Sequence, residues 1–274
     1  MTGGAGSALA GRVAVVTGSS RGIGRGAAIA LAEQGATVYV TGRTTAGPLS
    51  IGETARLVDE AGGHGIAVEV DHGDDAQIAA LFAQVAVEQG RLHVLVNNVY
   101  KIPDPPAWGG GFWDHPVSIW DDQVGIGLRA HYVASWHAAP LLFAAGPGGF
   151  ICNVSSPGGQ SYHFSSSYGA GKAGLDRLTA DMAVELESKG ITAVSLYPGS
   201  VATEFIQEWS TKRGTDLSGA QTTLGVGRTI AALAGLPDLM ARTGTIQWCE
   251  DVSVELDVRD ENGNHLPAYG KRVR

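Results

Sequence analysis

Val13-Ala14-Val15-Val16-Thr17-Gly18-Ser19-Ser20-Arg21-Gly22-Ile23-Gly24 joins an apolar run, short enough for one buried strand, to a glycine-rich turn that opens a helical pattern. Gly18 permits the sharp turn. Gly22 and Gly24 let the backbone come close to a pyrophosphate and to the neighbouring strand, and the free N–H groups at the helix start, from Ser20 to Ile23, attract negative charge. The stretch therefore reads as a dinucleotide site, with the spacing Gly-x-x-x-Gly-x-Gly in place of the commoner Gly-x-Gly-x-x-Gly. Two other readings stand beside it. The turn fits a plain tight connection. Gly18-Ser19-Ser20-Arg21-Gly22 also fits Gly-x-Ser-x-Gly, which would make Ser20 the nucleophile of a serine hydrolase. That elbow needs an earlier strand and loop for its oxyanion hole, and the Gly-, Ala- and Ser-rich stretch ahead of residue 12 offers none.

Composition narrows the classes. A chain of 274 residues with 44% hydrophobic and 17% charged residues suits a folded globular protein. A net charge of −8 speaks against nucleic acid or an anionic membrane as the main partner. No apolar stretch reaches the roughly eighteen residues of a membrane span. Residues 1–10 read as a short flexible tail, not a secretory leader. Cys152 and Cys249 are isolated among apolar neighbours and read as buried thiols in a reducing cytoplasm. The eight histidines show no ligand spacing, so no metal is expected.

Short β-rich runs at 12–17, 37–41, 66–70, 92–96, 150–154, 191–196 and 244–249 alternate with helical patterns at 23–34, 52–61, 76–89, 119–145, 167–189 and 225–234. Strand alternating with helix predicts an α/β fold. It is a doubly wound, parallel, seven-stranded Rossmann-type sheet, in a single domain over residues 11–274. Ligands of such sheets bind at the carboxyl ends of the strands. After the second strand stands Gly42-Arg43-Thr44, with no acid to take the ribose hydroxyls of NAD. Arg43 and Arg21 suit a 2′-phosphate, so NADP(H) is expected over NAD(H). Tyr168 and Lys172 are four residues apart and share one helix face, where the ammonium favours the phenolate and draws the tyrosine pKa toward neutrality.

Thr17-Gly18-x-x-x-Gly22-Ile23-Gly24, Asn97-Asn98, Ser155 thirteen residues before Tyr168, Lys172 four after it, and Pro198-Gly199-x-Val201-x-Thr203 together resemble the short-chain dehydrogenase/reductase superfamily. Within it, Trp120-Asp121-Asp122, Ser155-Ser156-Pro157-Gly158 and Tyr168-Gly169-Ala170-Gly171-Lys172 look most like dehydrogenase/reductase member one and its bacterial relatives. The resemblance implies an oxidoreductase interconverting a ketone or aldehyde with an alcohol. Tyr168 would be the general acid or base, Lys172 would lower its pKa and hold the nicotinamide ribose, and Ser155 would bond the substrate oxygen. It implies further that Gly18, Ser20, Arg21, Gly22, Ile23 and Gly24 hold the pyrophosphate, Asp71 the adenine edge and Asn97 the adenosine-side ribose. Pro198, Gly199, Val201 and Thr203 would hold the nicotinamide amide, and the assembly would be a homodimer or homotetramer.

Two departures stand out. The usual Asn-Asn-Ala-Gly is Asn97-Asn98-Val99-Tyr100, which puts a bulkier wall, Val99, beside the cofactor. The fourth catalytic residue of the family, an Asn, aligns with Gly127, which either leaves only a main-chain carbonyl for the proton relay or is a simple helix kink. Gly127 also keeps open a second class of function, a nucleotide-binding scaffold or sensor without turnover. On the substrate side, residues 100–118 carry Tyr100, Trp108, Phe112 and Trp113 among glycines and prolines and read as a lid over a hydrophobic small molecule or as a surface patch on a partner subunit. Residues 204–223 are expected to form the other wall, His163 is expected to line the site, and 250–274 are a C-terminal extension.

Overall fold

Along β1 (Val13–Val16) successive side chains enter opposite layers, as the pleat requires. Ala14 and Val16 join one apolar core, and Val13 and Val15 the other. The computed structural model describes residues 7–104, 106 and 109–270. Its single sheet has seven strands in the order β3-β2-β1-β4-β5-β6-β7. The remaining strands are β2 (Thr37–Gly42), β3 (His64–Glu69), β4 (Val94–Asn97), β5 (Phe150–Val154), β6 (Thr192–Tyr197) and β7 (Ile246–Trp248). Every pairing is parallel. The expected doubly wound Rossmann-type architecture is therefore the one observed.

Helices α1 (Gly22–Glu33) and α2 (Ile51–Glu60) cover one face, and α3 (Asp75–Gln89) the other. The next helix, α4, is composite: a turn at Ser118–Trp120, a π-helical stretch at Asp121–Arg129 and an α-helical stretch at Ala130–Ala145. It packs on the α3 side together with α5 (Ser166–Leu186). Helix α6 (Glu204–Arg213) begins at Thr203, whose hydroxyl accepts the N–H of Ile206 at 3.3 Å, and α7 (Thr223–Ala234) is capped in the same way by Thr222. The last helix is α8 (Cys249–Glu255). Cys152 and Cys249 are free and buried, and no helix among the described residues is long and apolar enough to cross a membrane.

The structure corrects one boundary. Residues 7–10 are not a loose tail: Leu9 is completely buried in the core and its N–H bonds the carbonyl of Gln34 at 2.9 Å. The stretch 204–223 begins as helix α6, and the chain after α8 comes back, through Tyr269, to His163.

Where α1 crosses α7 the two backbones touch. A Cβ on Gly227 would lie 2.2 Å from the carbonyl oxygen of Gly26, and one on Gly26 would lie 2.0 Å from that of Thr223. Gly227→Ala should therefore cost about 1–3 kcal/mol, and lower the melting temperature by several degrees. Gly125→Ala, whose added carbon would meet nothing within 4 Å, should leave the melt unchanged or raise it.

Candidate active site

The carboxyl ends of β1 and β4 are laced together by Thr17 and Asn98. Thr17 Oγ1 accepts the main-chain N–H groups of Asn98 at 2.9 Å and Val99 at 3.1 Å, and the Asn98 amide donates to the carbonyls of Thr17 and Gly18, both at 2.9 Å. Gly18 and Gly22 take left-handed φ values of 64° and 60°, which favour glycine. Gly24 has no room for a side chain, since a Cβ would fall 2.4 Å from the Gly18 carbonyl oxygen. The open N–H of Gly22 is bonded by a carboxylate, Glu204 Oε2, at 2.9 Å. Ser20 is held by its carbonyl, which accepts Arg25 Nη2 at 2.6 Å. Among the described residues no histidine bonds Ser20, and a serine hydrolase built on it lacks its base.

Arg43 follows β2 and stands 3.8 Å from Asp71 after β3, both largely exposed. An acid missing from the end of β2 is thus brought to Arg43 by the neighbouring strand. Arg25, not singled out from the sequence, also donates to Thr54 Oγ1 at 2.9 Å and to the Pro48 carbonyl at 2.8 Å. It fastens the loop after β2 beneath the glycine turn, which leaves Arg21 and Arg43 as the outward cations there.

The Asn97 side chain is fully buried and its Nδ2 donates to Ser135 Oγ and Asn153 Oδ1, both at 2.9 Å. The amide therefore ties β4 to β5 and α4, which leaves only the main chain of Asn97 to meet a ribose. The sequence placed it correctly at a strand end, but strand pleat turned its side chain into the sheet layer.

Ser155, Tyr168 and Lys172 come together. The hydroxyl of Ser165 caps α5 by accepting the N–H of Tyr168 at 3.2 Å, which sets Tyr168 in the first turn. Lys172, one turn later, is buried. Its Nζ donates to the Val154 carbonyl at 2.9 Å and lies 6.0 Å from the centre of the Tyr168 ring. Ser155 Oγ lies 3.5 Å from the Lys172 carbonyl. Loss of water pushes the Tyr168 phenol up to about 12 and the Lys172 ammonium down to about 8, the latter opposed by Asp176. The tyrosine is thus shifted away from neutrality, because burial of the phenol outweighs its side-chain hydrogen bond with Ser156. Neutral Tyr168 is the proton-donating form.

The walls include residues that the sequence did not mark. Gly158 leaves space for the Tyr168 ring, where a Cβ would sit 2.5 Å from Cε1. Asp176, a further turn along α5, bonds the Tyr197 hydroxyl and, through burial, has its pKa raised. Its spacing of four from Lys172 was a readable signal. Tyr269 had none: it arrives from the C-terminal strap, its N–H bonding Glu250 at 3.1 Å and its hydroxyl meeting His163 Nε2 at 2.6 Å. Gly199 N–H is held by Gln221 at 3.1 Å, and Val201 bridges to Gln221. Ile23 packs partly on the core.

A cavity of about 220 Å³ lies between Gly110, Phe112 and Trp113 of the loop after β4 and Tyr162, Phe164 and Ser165. Phe164 has an uncommon φ of 58° and sets its ring edge-on to Tyr168 at 5.1 Å. Trp108 lies outside the described residues. A second, more open cavity, about 520 Å³, is lined by Thr45, Pro48 and Glu53, beyond Arg43 and away from Tyr168. Tyr100 packs against Tyr168, edge to face with its ring at 5.8 Å.

The family model for short chain dehydrogenases matches residues 12–214. The chain is 40% identical to the mouse (Mus musculus) dehydrogenase/reductase SDR family member 1 over 95% of its length and 87% of that protein. It is 35% identical to an NADPH-dependent aldehyde reductase 2 of Arabidopsis thaliana, over 72% of this chain and 74% of the other. A short chain dehydrogenase from Mycobacterium thermoresistibile superposes with a TM-score of 0.81 at 25% identity, covering 96% of this chain and 92% of that one. The glycine turn, the Thr17–Asn98 lacing and the Ser155, Tyr168 and Lys172 cluster all lie in the matched span, and the chain belongs to the short-chain dehydrogenase family, whose members are oxidoreductases that bind a nicotinamide cofactor.

Proposed function

We propose that this protein is an NADP(H)-dependent reductase or dehydrogenase that interconverts a ketone or aldehyde with an alcohol on a hydrophobic small molecule. The observation that carries the reading is the meeting of Tyr168, Lys172 and Ser155 at the strand ends beside the glycine turn. The residues fit the cofactor: Gly18 and Gly22 are left-handed, and the Gly22 N–H already holds a carboxylate where a phosphate oxygen would be received. Gly18 to Gly24 would hold the pyrophosphate, Arg21 and Arg43 the 2′-phosphate, Asp71 the adenine edge, Val99 the cofactor wall, and Pro198, Gly199, Val201 and Thr203 the nicotinamide end. When bound, the nicotinamide supplies or accepts the hydride.

The protein's own residues would manage the proton. Ser155 orients the carbonyl oxygen, and Tyr168, protonated at neutral pH, donates to it. Lys172 places a positive charge beside the phenol. Aromatic rings at Phe112, Trp113, Tyr162 and Phe164 favour an apolar substrate and shield it from water. Tyr132, Trp136 and Phe143, exposed on α4, suit a face buried in a homodimer or homotetramer.

Two outcomes are expected. Tyr168→Phe should lower carbonyl reduction by about 10²- to 10⁴-fold, while cofactor binding and the melting temperature persist. In the native protein, alcohol oxidation should climb with pH because the phenol, held near 12, must lose its proton to act as base. Near-normal turnover in Tyr168→Phe would refute the assignment, and cofactor binding without turnover of any carbonyl by the native protein would favour the scaffold.

Fluorescence titration should show tighter binding of NADPH than of NADH, and Arg43→Ala should reduce that preference about tenfold. Equal binding by the native protein would count against the two arginines. Glu204→Gln should tighten cofactor binding about two- to fivefold in the same titration, since the phosphate then no longer displaces a like charge from the helix start.

A further inference from the structure

Gly127 reads in the sequence as a loss, a missing Asn side chain at the relay position. In the structure the space is filled. A Cβ on Gly127 would lie 3.2 Å from Cδ2 of Tyr100 and 3.5 Å from Cε2, so the tyrosine ring rests directly on the bare helix backbone. Tyr100 follows β4 and Gly127 sits in the π-helical stretch of α4. The Tyr100 hydroxyl accepts Gln123 Nε2 at 3.1 Å, and Gln123 is buried. Gln123 Oε1 in turn accepts the hydroxyls of Ser165, at 3.0 Å, and Ser167. Ser165 is the residue that caps α5 at Tyr168. One amide therefore ties the Tyr100 hydroxyl to the helix start that carries the candidate catalytic tyrosine.

The ring itself faces the lysine. Lys172 Nζ lies 5.5 Å from the centre of the Tyr100 ring and 6.0 Å from that of Tyr168, both within the range of cation–π attraction. The ammonium thus sits between two aromatic faces, with the Val154 carbonyl as its hydrogen-bond acceptor. We propose that Tyr100 is a positioning residue that holds the Lys172 ammonium against Tyr168 through its ring face, and that glycine at 127 is the vacancy that admits it.

The inference rests on the reading of Tyr168 and Lys172 as the proton-handling pair. The charged and titratable groups facing Lys172 are Asp176 and Tyr168 on its own helix, Tyr100 from the loop after β4, and His131 on α4, which burial keeps neutral. Asp122, nearer Tyr100, and Tyr269, nearer Tyr168, complete the surroundings. None of the others substitutes for a lost ring at 100: Asp176 already acts on the ammonium, and a neutral His131 carries no counter-charge.

The test reads the lysine directly. The chain has five lysines, and 13C-labelled lysine side chains can be titrated by NMR in the full-length protein, with the Lys172 signal identified by its absence in Lys172→Arg. Tyr100→Leu, which keeps an apolar fill and removes the aromatic face, should lower the Lys172 pKa by about one unit. Tyr100→Phe, which keeps the face and removes the hydroxyl, should leave it within a few tenths of a unit of the native value. Gly127→Ala, whose added carbon would lie 3.2 Å from Tyr100 Cδ2 and so dislodge the ring from its seat, should move it in the same direction as the leucine, and stands in for that variant if it does not fold. In steady-state carbonyl reduction the leucine variant should lose about tenfold in kcat with little change in KM, and the phenylalanine variant less than threefold. A Lys172 pKa that is unchanged or raised in folded Tyr100→Leu and Gly127→Ala would overturn the proposal. If that happens while Tyr168→Phe still abolishes turnover, only the role of Tyr100 has failed. If Tyr168→Phe remains active, the underlying reading has failed.

Discussion

Four hydrogen bonds between Thr17–Gly18 and the Asn98–Val99 segment hold the ends of β1 and β4 together beyond the point where the sheet stops. Buried bonds of this kind contribute about 1 kcal/mol each, and leaving any of these groups unpaired would cost more. Their geometric effect is larger than their energy. They bring the loop after β4 so close to the glycine turn that a Cβ on Gly18 would lie 2.8 Å from the Cα of Val99, and one on Gly24 would lie 2.5 Å from the Asn98 amide. The same clasp sets where Val99 and Tyr100 emerge. Both the cradle for a phosphate and the aromatic packing behind Lys172 follow from it.

The other constraint is a buried ammonium. A lysine inside a protein is tolerated when its charge is met by dipoles, counter-charge or aromatic faces, and otherwise it loses its proton. Lys172 is met by the Val154 carbonyl, by Asp176 one turn further along α5 and by two tyrosine rings. Burial still lowers its pKa to about 8 and raises that of Tyr168 to about 12. The pair thus rests in opposite charge states at neutral pH, with the lysine mainly charged and the phenol neutral, the arrangement that suits proton donation to a carbonyl oxygen. Asp176 remains held by Tyr197, so the acid stabilises the lysine without standing in the cleft.

Much of the site was legible because it is local. A strand, a glycine turn and a helix start follow one another in the chain, and a Tyr and a Lys four apart must share a helix face. The seven strands were recognisable as apolar runs, for a parallel sheet covered on both faces buries its central strands, while only the edge strand β3 leaves His64, Ala67 and Glu69 exposed. What escaped was non-local or set by orientation. Asn97 was assigned to the right strand end, yet its side chain serves the sheet, since alternation along β4 directs it to Ser135 and Asn153. Helix α6 is short and polar, with little apolar periodicity to read. Tyr269 comes to His163 from a segment 106 residues away, a closure with no trace in local pattern.

The amino-acid sequence by itself determined the order of the seven strands and of the main helices between them, the glycine turn and the helix that carries Tyr168 and Lys172, because periodicity, turn chemistry and helical spacing are properties of neighbouring residues. Only the tertiary structure decided what surrounds them. It brought Asp71 to Arg43 across adjacent strands, placed Glu204 on the Gly22 amide, returned the C-terminal strap to the cleft and laid Tyr100 on the bare backbone of Gly127. Each of these joins groups far apart in the chain, and their distances follow from how the sheet twists and the loops pack, which no local pattern of residues encodes.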